Sequence, residues 1–271
     1  MVYFVGAGSG AVDLITVRGK NLLEKADVVI YAGSLVNPEL LQYAKKDCEF
    51  HNSAKLTLPE IIDLMVKAER EGKMTVRLHT GEPSIYGAIR EQMDALDEQG
   101  ITYECCPGVS ACFGASASLN LEYTLPEVSQ SLIITRMAGK TSVPEKESIE
   151  SFAAHGASMA IYLSAGMLEE LSKRLIAGGY KNDTPCALVY KATWPDEEKY
   201  FCTVETLPKV AAEHGITKIA VVLVGDAIAQ SGYAKSRLYA PEFETEFRKA
   251  KKLRTHEQVG ASYASWKGKN E

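Results

Sequence analysis

Val76-Arg77-Leu78-His79-Thr80-Gly81-Glu82-Pro83-Ser84-Ile85-Tyr86-Gly87 runs a strand pattern into a helix start through a Gly-acid-Pro turn. In open α/β sheets ligands collect where strands end, because backbone N–H groups and helix N-termini there are not yet paired. Glu82 adds a carboxylate able to grip a ribose hydroxyl or an amine. Alternatively this is an ordinary strand-to-helix loop, with Gly81 supplying a positive φ and Pro83 opening the helix at its first position. Either way the segment marks an α/β fold.

The flanking sequence extends that pattern. Val2 to Val5, Val28 to Tyr31, Glu49 to His51, Thr75 to Leu78 and Tyr103 to Cys106 read as strands separated by helical patterns, the βαβα signature of a mostly parallel sheet. Thr57-Leu58-Pro59-Glu60 carries a capping-box acid and a first-turn Pro, and Gly72 and Gly100 fall where helices should end. After a Pro-containing connection at Leu121 to Pro126, a second set of strands is expected at Ser131 to Thr135, Ser158 to Leu163, Pro185 to Tyr190, Lys199 to Val204 and Ile219 to Val224. Helices are expected near Met167 to Ala177 and Glu205 to Glu213, and Trp194-Pro195-Asp196-Glu197 reads as a hairpin turn, so this half should hold a mixed sheet. The expectation is two α/β domains, residues 1–120 and 121–235, with a cleft between them. A charged tail, residues 236–271, containing Glu246-Phe247-Arg248-Lys249-Ala250-Lys251-Lys252, reads as a peripheral helix or a poorly ordered segment.

With 271 residues, 46% of them hydrophobic, the chain can bury a substantial core. A net charge of −5 argues against a broad nucleic-acid surface, which needs clustered Lys and Arg. No apolar run approaches the roughly 18 residues of a membrane span, and the N-terminus enters a strand without a signal peptide; a soluble, cytoplasmic protein is expected. None of the six cysteines forms a C-x-x-C pair and the five histidines have no ligand spacing, so no metal site is expected.

Gly6-Ala7-Gly8-Ser9-Gly10-Ala11 matches the G-x-G-x-x-G/A dinucleotide fingerprint. Its context does not. The fingerprint expects an acid at the end of the second strand, which here reads Ile30-Tyr31-Ala32-Gly33. Thr16 looks like the helix N-cap, several residues beyond the glycines, leaving the loop too long to hold a pyrophosphate against that helix.

Loop, strand and turn together resemble the tetrapyrrole methylase family over roughly residues 1 to 235. The resemblance rests on Val5-Gly6-Ala7-Gly8-Ser9-Gly10 with Asp13-Leu14-Ile15-Thr16, on Ala26-Asp27-Val28-Val29, on Gly81-Glu82-Pro83 with Tyr86-Gly87, and on Pro107-Gly108-Val109-Ser110-Ala111. Tyr31-Ala32-Gly33-Ser34-Leu35-Val36, Thr135-Arg136-Met137-Ala138-Gly139-Lys140-Thr141 and Val189-Tyr190-Lys191-Ala192-Thr193-Trp194-Pro195-Asp196 look like the branch that methylates carbon 11 of precorrin-4 or its cobalt form.

The resemblance implies an S-adenosylmethionine-dependent C-methyltransferase of cobalamin synthesis, usually homodimeric, with the cofactor bent in the interdomain cleft and the first glycine loop facing the tetrapyrrole. Carried over by position, the cofactor would touch Thr80, Gly81, Glu82, Ile85, Tyr86, Ser110 and Ala111 from the first half. The second half would add Tyr162, Leu163, Met167, Tyr190, Lys191, Ala192 and Leu223. The substrate would meet Gly8, Ser9 and Gly10, with Arg18, Arg136, Lys140 and Lys191 as candidates for its carboxylates. Against the family pattern, Ser9 and Ala11 stand where Pro and Asp are usual, and Glu82 where Asp is usual. Ala11 thereby removes a carboxylate from the loop nearest the substrate.

An adenine ring and a methionine chain need apolar walls and a few aimed polar groups, and small residues such as Ser110, Ala111 and Ala192 let the main chain approach. Methyl transfer from a sulfonium needs alignment and a dry cleft rather than a covalent nucleophile. His79, at a strand end, is a candidate general base or equally a structural hydrogen-bonding residue. A sibling methylase acting at another ring position, a nicotinamide oxidoreductase built on the glycine loop, and a catalytically silent tetrapyrrole-binding protein remain alternatives.

Overall fold

A computed structural model describes residues 1–33 and 35–251; Ser34, Lys252 and the remainder of the tail lie outside the described residues. Two five-stranded sheets divide the rest. The first contains β1 (Val2–Gly6), β2 (Val28–Tyr31), β3 (Glu49–Asn52), β4 (Thr75–His79) and β5 (Tyr103–Cys106), in the order β3-β2-β4-β1-β5, every pairing parallel. The second contains β6 (Leu132–Arg136), β7 (Ser158–Tyr162), β8 (Pro185–Tyr190), β9 (Glu198–Thr203) and β10 (Ala220–Val224), in the order β6-β7-β10-β8-β9. There β6 and β7 run parallel and the remaining pairings are antiparallel. All ten strands fall where the sequence places them.

Between the strands lie α1 (Val17–Lys25), α2 (Leu58–Arg70), α3 (Ile89–Glu98), α4 (Ala111–Ser118), α5 (Ile149–Ala153), α6 (Leu168–Ala177) and α7 (Leu207–Glu213). Thr16 caps α1 by accepting from the Gly19 amide at 3.0 Å, and Glu60 closes the α2 capping box on the Thr57 amide at 2.7 Å. Gly72 and Gly100 take positive φ just past α2 and α3. Pro83 does not open a helix. A turn covers residues 83–86, and Ala88, left-handed at φ 50, precedes α3 at Ile89.

One face of the first sheet packs Phe4, Val28 and Ile30 against Met65 of α2 and Leu96 of α3; the other packs Val5, Val29 and Leu78 against Leu23 of α1 and the 3-10 turn Pro38–Tyr43. The second sheet buries Met159, Ile161 and Leu188 beneath α5, α6 and α7. Its opposite face is covered by Cys112 and Ala115 of α4 and its C-cap Leu119, which cluster with Ala160, Ala187, Val189 and Leu223. Helix α4 follows β5 in the chain yet lies in the second sheet's core, and so joins the two lobes.

Among the described residues no helix is long and apolar enough to cross a membrane. The tail that the sequence marks as a helix or a loose segment holds, as far as Lys251, one 3-10 turn, Arg237–Tyr239, tied by the Arg248 guanidinium to the carbonyls of Leu238, Ala240 and Phe243.

Candidate functional site

Three loops meet at the carboxyl edge of the first sheet, and glycines let them touch. A Cβ at Gly6 would lie 2.6 Å from the Gly108 backbone and from the Gly81 carbonyl; one at Gly108 would lie 2.1 Å from that same carbonyl. The first glycine loop is consumed by this packing. The Ala7 amide donates to the His79 carbonyl at 2.7 Å, Gly8 and Gly81 exchange backbone bonds of 3.3 and 2.9 Å, and the Ala11 amide donates to Thr193 Oγ1 at 3.1 Å. A pyrophosphate cradle needs such amides free and a helix immediately behind them. Here those of Ala7, Gly8 and Ala11 are paired, and a 3-10 turn, Val12–Leu14, intervenes before α1.

Glu82 is equally occupied. Oε1 accepts from the Ser84 amide at 3.0 Å and Oε2 from the Gly108 amide at 2.8 Å, so the side chain braces its own turn against the loop after β5.

Between the lobes lies a cavity of about 510 Å³, the size range of small-molecule sites. The first lobe contributes Ser9, Leu35, Thr80 and Ala111; the second contributes Tyr162, Leu163, Ala192, Trp194, Ile219 and Val221 among others. The hydroxyl of Thr80, a lining residue, is buried without a protein partner. Strain gathers at the same place. Leu163 (φ 54), Lys191 (φ 47) and Ile219 (φ 54) line the cavity in the left-handed region, and Thr193 (φ 68) adjoins it. Non-glycine residues hold that conformation at a cost, and such residues cluster at binding sites.

Ser9, Thr80, Ala111, Tyr162, Leu163, Lys191 and Ala192, all expected at a site, therefore share one wall system. Ser110 stands just behind it: its hydroxyl lies 2.8 Å from that of Tyr162, which also accepts from the Cys112 amide at 2.7 Å. Burial pushes the Tyr162 phenol well above its usual range, so it stays protonated. Tyr86 packs on Tyr162 with ring centroids 5.8 Å apart, and the Ile85 amide donates to the Glu82 carbonyl. Gly81 and Gly8 are spent on each other, and the Gly10 carbonyl accepts from the Asn37 side chain at 2.9 Å.

Other expected contacts lie off the cavity. Leu223 is fully buried in the core below it, Met167 precedes α6, and Tyr190 packs against the second sheet's outer core. Arg136 turns its guanidinium to the carbonyls of Met137, Thr141 and Ser142. Arg18 and Lys140 are exposed and without an ion-pair partner among the described residues. Lys191 holds Asp196 at 2.5 Å above the Tyr190 and Trp194 rings.

His79 departs from the role of a base. It is 4% exposed, stacks on Phe4 in the core under the first sheet, and does not line the cavity. Burial, with a smaller push from neighbouring Arg77, lowers its pKa to about 3. A general base needs access to the reacting proton and a pKa near the working pH, and this imidazole has neither. Arg77 is itself buried, bonded to Gln92 Oε1 and the Ile30 carbonyl at 3.1 Å each, and burial brings it down to about 10, still charged at neutral pH.

Sequence reasoning did not single out Leu35, Thr217, Lys218 and Ile219 as lining residues. No glycine or proline marks the left-handed turn at Ile219, and the pairing that carries Thr217 to the cleft joins distant strands.

The profile of the Tetrapyrrole (Corrin/Porphyrin) Methylases matches residues 1–208. A cobalt-precorrin-4 C(11)-methyltransferase of Methanocaldococcus jannaschii is 52% identical over 93% of this chain and 97% of its own length. A precorrin-4 C(11)-methyltransferase of Pseudomonas aeruginosa is 44% identical over 91% and 98%. The X-ray structure of a cobalt precorrin-4 methyltransferase superposes with a TM-score of 0.82 at 44% identity, over 84% of this chain and 95% of that one.

Proposed function

The chain belongs to the tetrapyrrole methylases, and from that premise we propose that it transfers a methyl group from S-adenosylmethionine to carbon 11 of precorrin-4 or cobalt-precorrin-4 in cobalamin synthesis. The observation that carries the reading is the apolar interlobe cavity, lined by Ala111, Ala192 and Thr80, whose buried hydroxyl lacks a protein partner. These residues fit the methyl donor: small side chains admit a ring to the main chain, and a lone hydroxyl finds the polar partner it lacks. When bound there, S-adenosylmethionine supplies an electrophilic methyl on a sulfonium.

The chain's own work is placement and exclusion of water. Leu163, Val189, Ile219 and Val221 form apolar walls that keep water from the charged centre. Tyr162 holds both lobes at one spacing, and the turn braced by Glu82 fixes Thr80 at the edge of β4. Lys191 is the cation best placed for a substrate carboxylate. Its partner Asp196 is 59% exposed, so solvent screens the pair and an incoming carboxylate can displace it. Neither a covalent nucleophile nor a protonated His79 enters this scheme.

The cytoplasmic, homodimeric enzyme expected for the family is part of the proposal. Phe201, 59% exposed on the outer strand β9, is among the apolar side chains a second copy would cover. Sedimentation equilibrium at the mass of one chain would remove the dimer from the reading. The function itself is tested with methyl-labelled S-adenosylmethionine and a precorrin-4 preparation. Label at carbon 11, located by NMR, is expected; label at another ring position makes the chain a sibling methylase, and donor binding without label makes it a tetrapyrrole-binding protein. Calorimetric titration of the donor giving no saturable heat would sink the reading.

A further inference from the structure

The connection between β8 and β9 holds two residues in left-handed backbone, Lys191 and Thr193. For a side chain branched at Cβ, φ 68 is a real outlier, and it persists only where surrounding contacts over-determine it. At Thr193 those contacts cross the cleft. Its Oγ1 lies 2.9 Å from Ser9 Oγ and accepts from the Ala11 amide at 3.1 Å. With one lone pair given to Ala11, the Thr193 proton is free to go to Ser9. The Thr193 amide donates to Glu197 Oε2 at 2.6 Å, and the other Glu197 oxygen accepts from the Ser118 hydroxyl at the end of α4.

Shape repeats what the hydrogen bonds do. A Cβ at Gly10 would lie 2.1 Å from Cδ1 of Trp194, and a Cβ at Gly114 would lie 2.5 Å from Ser9 Oγ and 3.1 Å from Thr193 Cγ2. The glycine loop of the first lobe, the hairpin of the second and the helix joining them are thus closed on one hydroxyl.

We infer that Thr193 is a positioning residue: it clasps the first glycine loop to the second lobe and so fixes the gap in which the tetrapyrrole is presented to the methyl donor. The inference rests on the methyl-transfer reading. Thr193 itself does not line the cavity, so substituting it leaves every side chain on the donor's walls in place. Alignment is the step it serves, because displacement at a methyl group loses rate steeply with small errors of placement.

Thr193→Gly removes the hydroxyl and relieves the strained backbone together; Thr193→Ser keeps the hydroxyl. For Thr193→Gly the expected result is a melting temperature equal to or above wild type and an unchanged Kd for S-adenosylmethionine. Its kcat in labelled methyl transfer is expected to fall at least about tenfold, the scale of loss that small misplacement of reacting groups brings, while Thr193→Ser stays within about twofold of wild type. In the ligand-free protein, hydrogen exchange at the Ala11 amide should quicken in Thr193→Gly and not in Thr193→Ser. Wild-type turnover in Thr193→Gly, or an Ala11 amide exchanging at the wild-type rate, overturns the inference. So does a loss of turnover that only tracks a lower melting temperature. Should Thr193→Gly not fold, Thr193→Ala removes the same hydroxyl from Ser9 and from the Ala11 amide and is read by Kd, turnover and Ala11 exchange. A wild-type chain that neither binds S-adenosylmethionine nor methylates a tetrapyrrole would sink the parent reading instead, and the exchange result alone then decides whether the clasp exists.

Discussion

At the scale of single residues, what a side chain lacks matters as much as what it carries. Gly6, Gly81 and Gly108 bring three strand ends into backbone contact. Gly108→Ala places a methyl group against the Gly81 carbonyl, and backbone cannot swing aside as a side-chain tip can. We expect the variant to lose about 1–3 kcal/mol, the usual cost of overpacking, read as a lower urea midpoint; an unchanged midpoint would mean the loops have slack.

His79 makes a second prediction. Its folded pKa of about 3 lies below the ordinary value of 6.5. The unfolded chain therefore takes up a proton below about pH 6.5 that the folded chain refuses until about pH 3, and stability falls as pH drops through that window. His79→Leu removes this slope, so urea midpoints measured at pH 7, 5 and 4 should shift progressively in the variant's favour. Parallel curves would show that the imidazole takes up its proton over the same pH range in the folded and unfolded chain.

The chemical types of both residues could be read in the sequence, but their surroundings could not. Glu82 and Arg136 look like ligand groups until the fold supplies Gly108 and the carbonyls of Met137, Thr141 and Ser142 as their partners. Those partners are set by how loops stack, which residue spacing does not encode.

At the scale of elements, the strands were legible because burial writes itself into composition. Central strands of a parallel sheet are buried on both faces, and Val28-Val29-Ile30 is accordingly an unbroken apolar run. The outer strand β9 alternates more loosely, yet the Trp194 to Glu197 turn before it gave it away. Illegible were the left-handed turns at Leu163, Lys191 and Ile219, which shape the cleft without the glycine that would announce them. The turn after β4 was half legible: Gly81 takes its positive φ, but Pro83 sits in a run of turns rather than at a helix start. Glu82 holds that run with both oxygens, so Glu82→Gln turns an NH2 toward one of two backbone donors. A loss of about 1–3 kcal/mol is expected, as for a charge-assisted bond replaced by a clash of donors. Donor affinity should fall with it if the turn positions Thr80, which calorimetry on the same variant would read. Wild-type stability would place water, rather than Glu82, on the Gly108 amide.

At the scale of the whole molecule, the two lobes are not independent bodies beside a cleft. Helix α4 belongs to the first lobe by chain order and to the second by packing, and its first turn is held by Tyr162 from β7. That phenol accepts from the Cys112 amide and pairs with the Ser110 hydroxyl. These contacts differ in weight. Cys112 is fully buried, so Tyr162→Phe leaves a buried N–H with no partner, at about 1–3 kcal/mol. Ser110→Ala removes a hydroxyl whose partner keeps its bond to Cys112, and should cost less, about 0.5–1.5 kcal/mol. The ring that walls the cavity survives in Tyr162→Phe, so any weakening of S-adenosylmethionine binding in that variant reports lobe spacing rather than lost contact. We expect the order Tyr162→Phe worse than Ser110→Ala in both unfolding free energy and donor Kd. Equal losses would assign the coupling to the hydroxyl pair, and unchanged affinity in both would mean that the cleft keeps its width through the Thr193 clasp and the shared core of α4 alone.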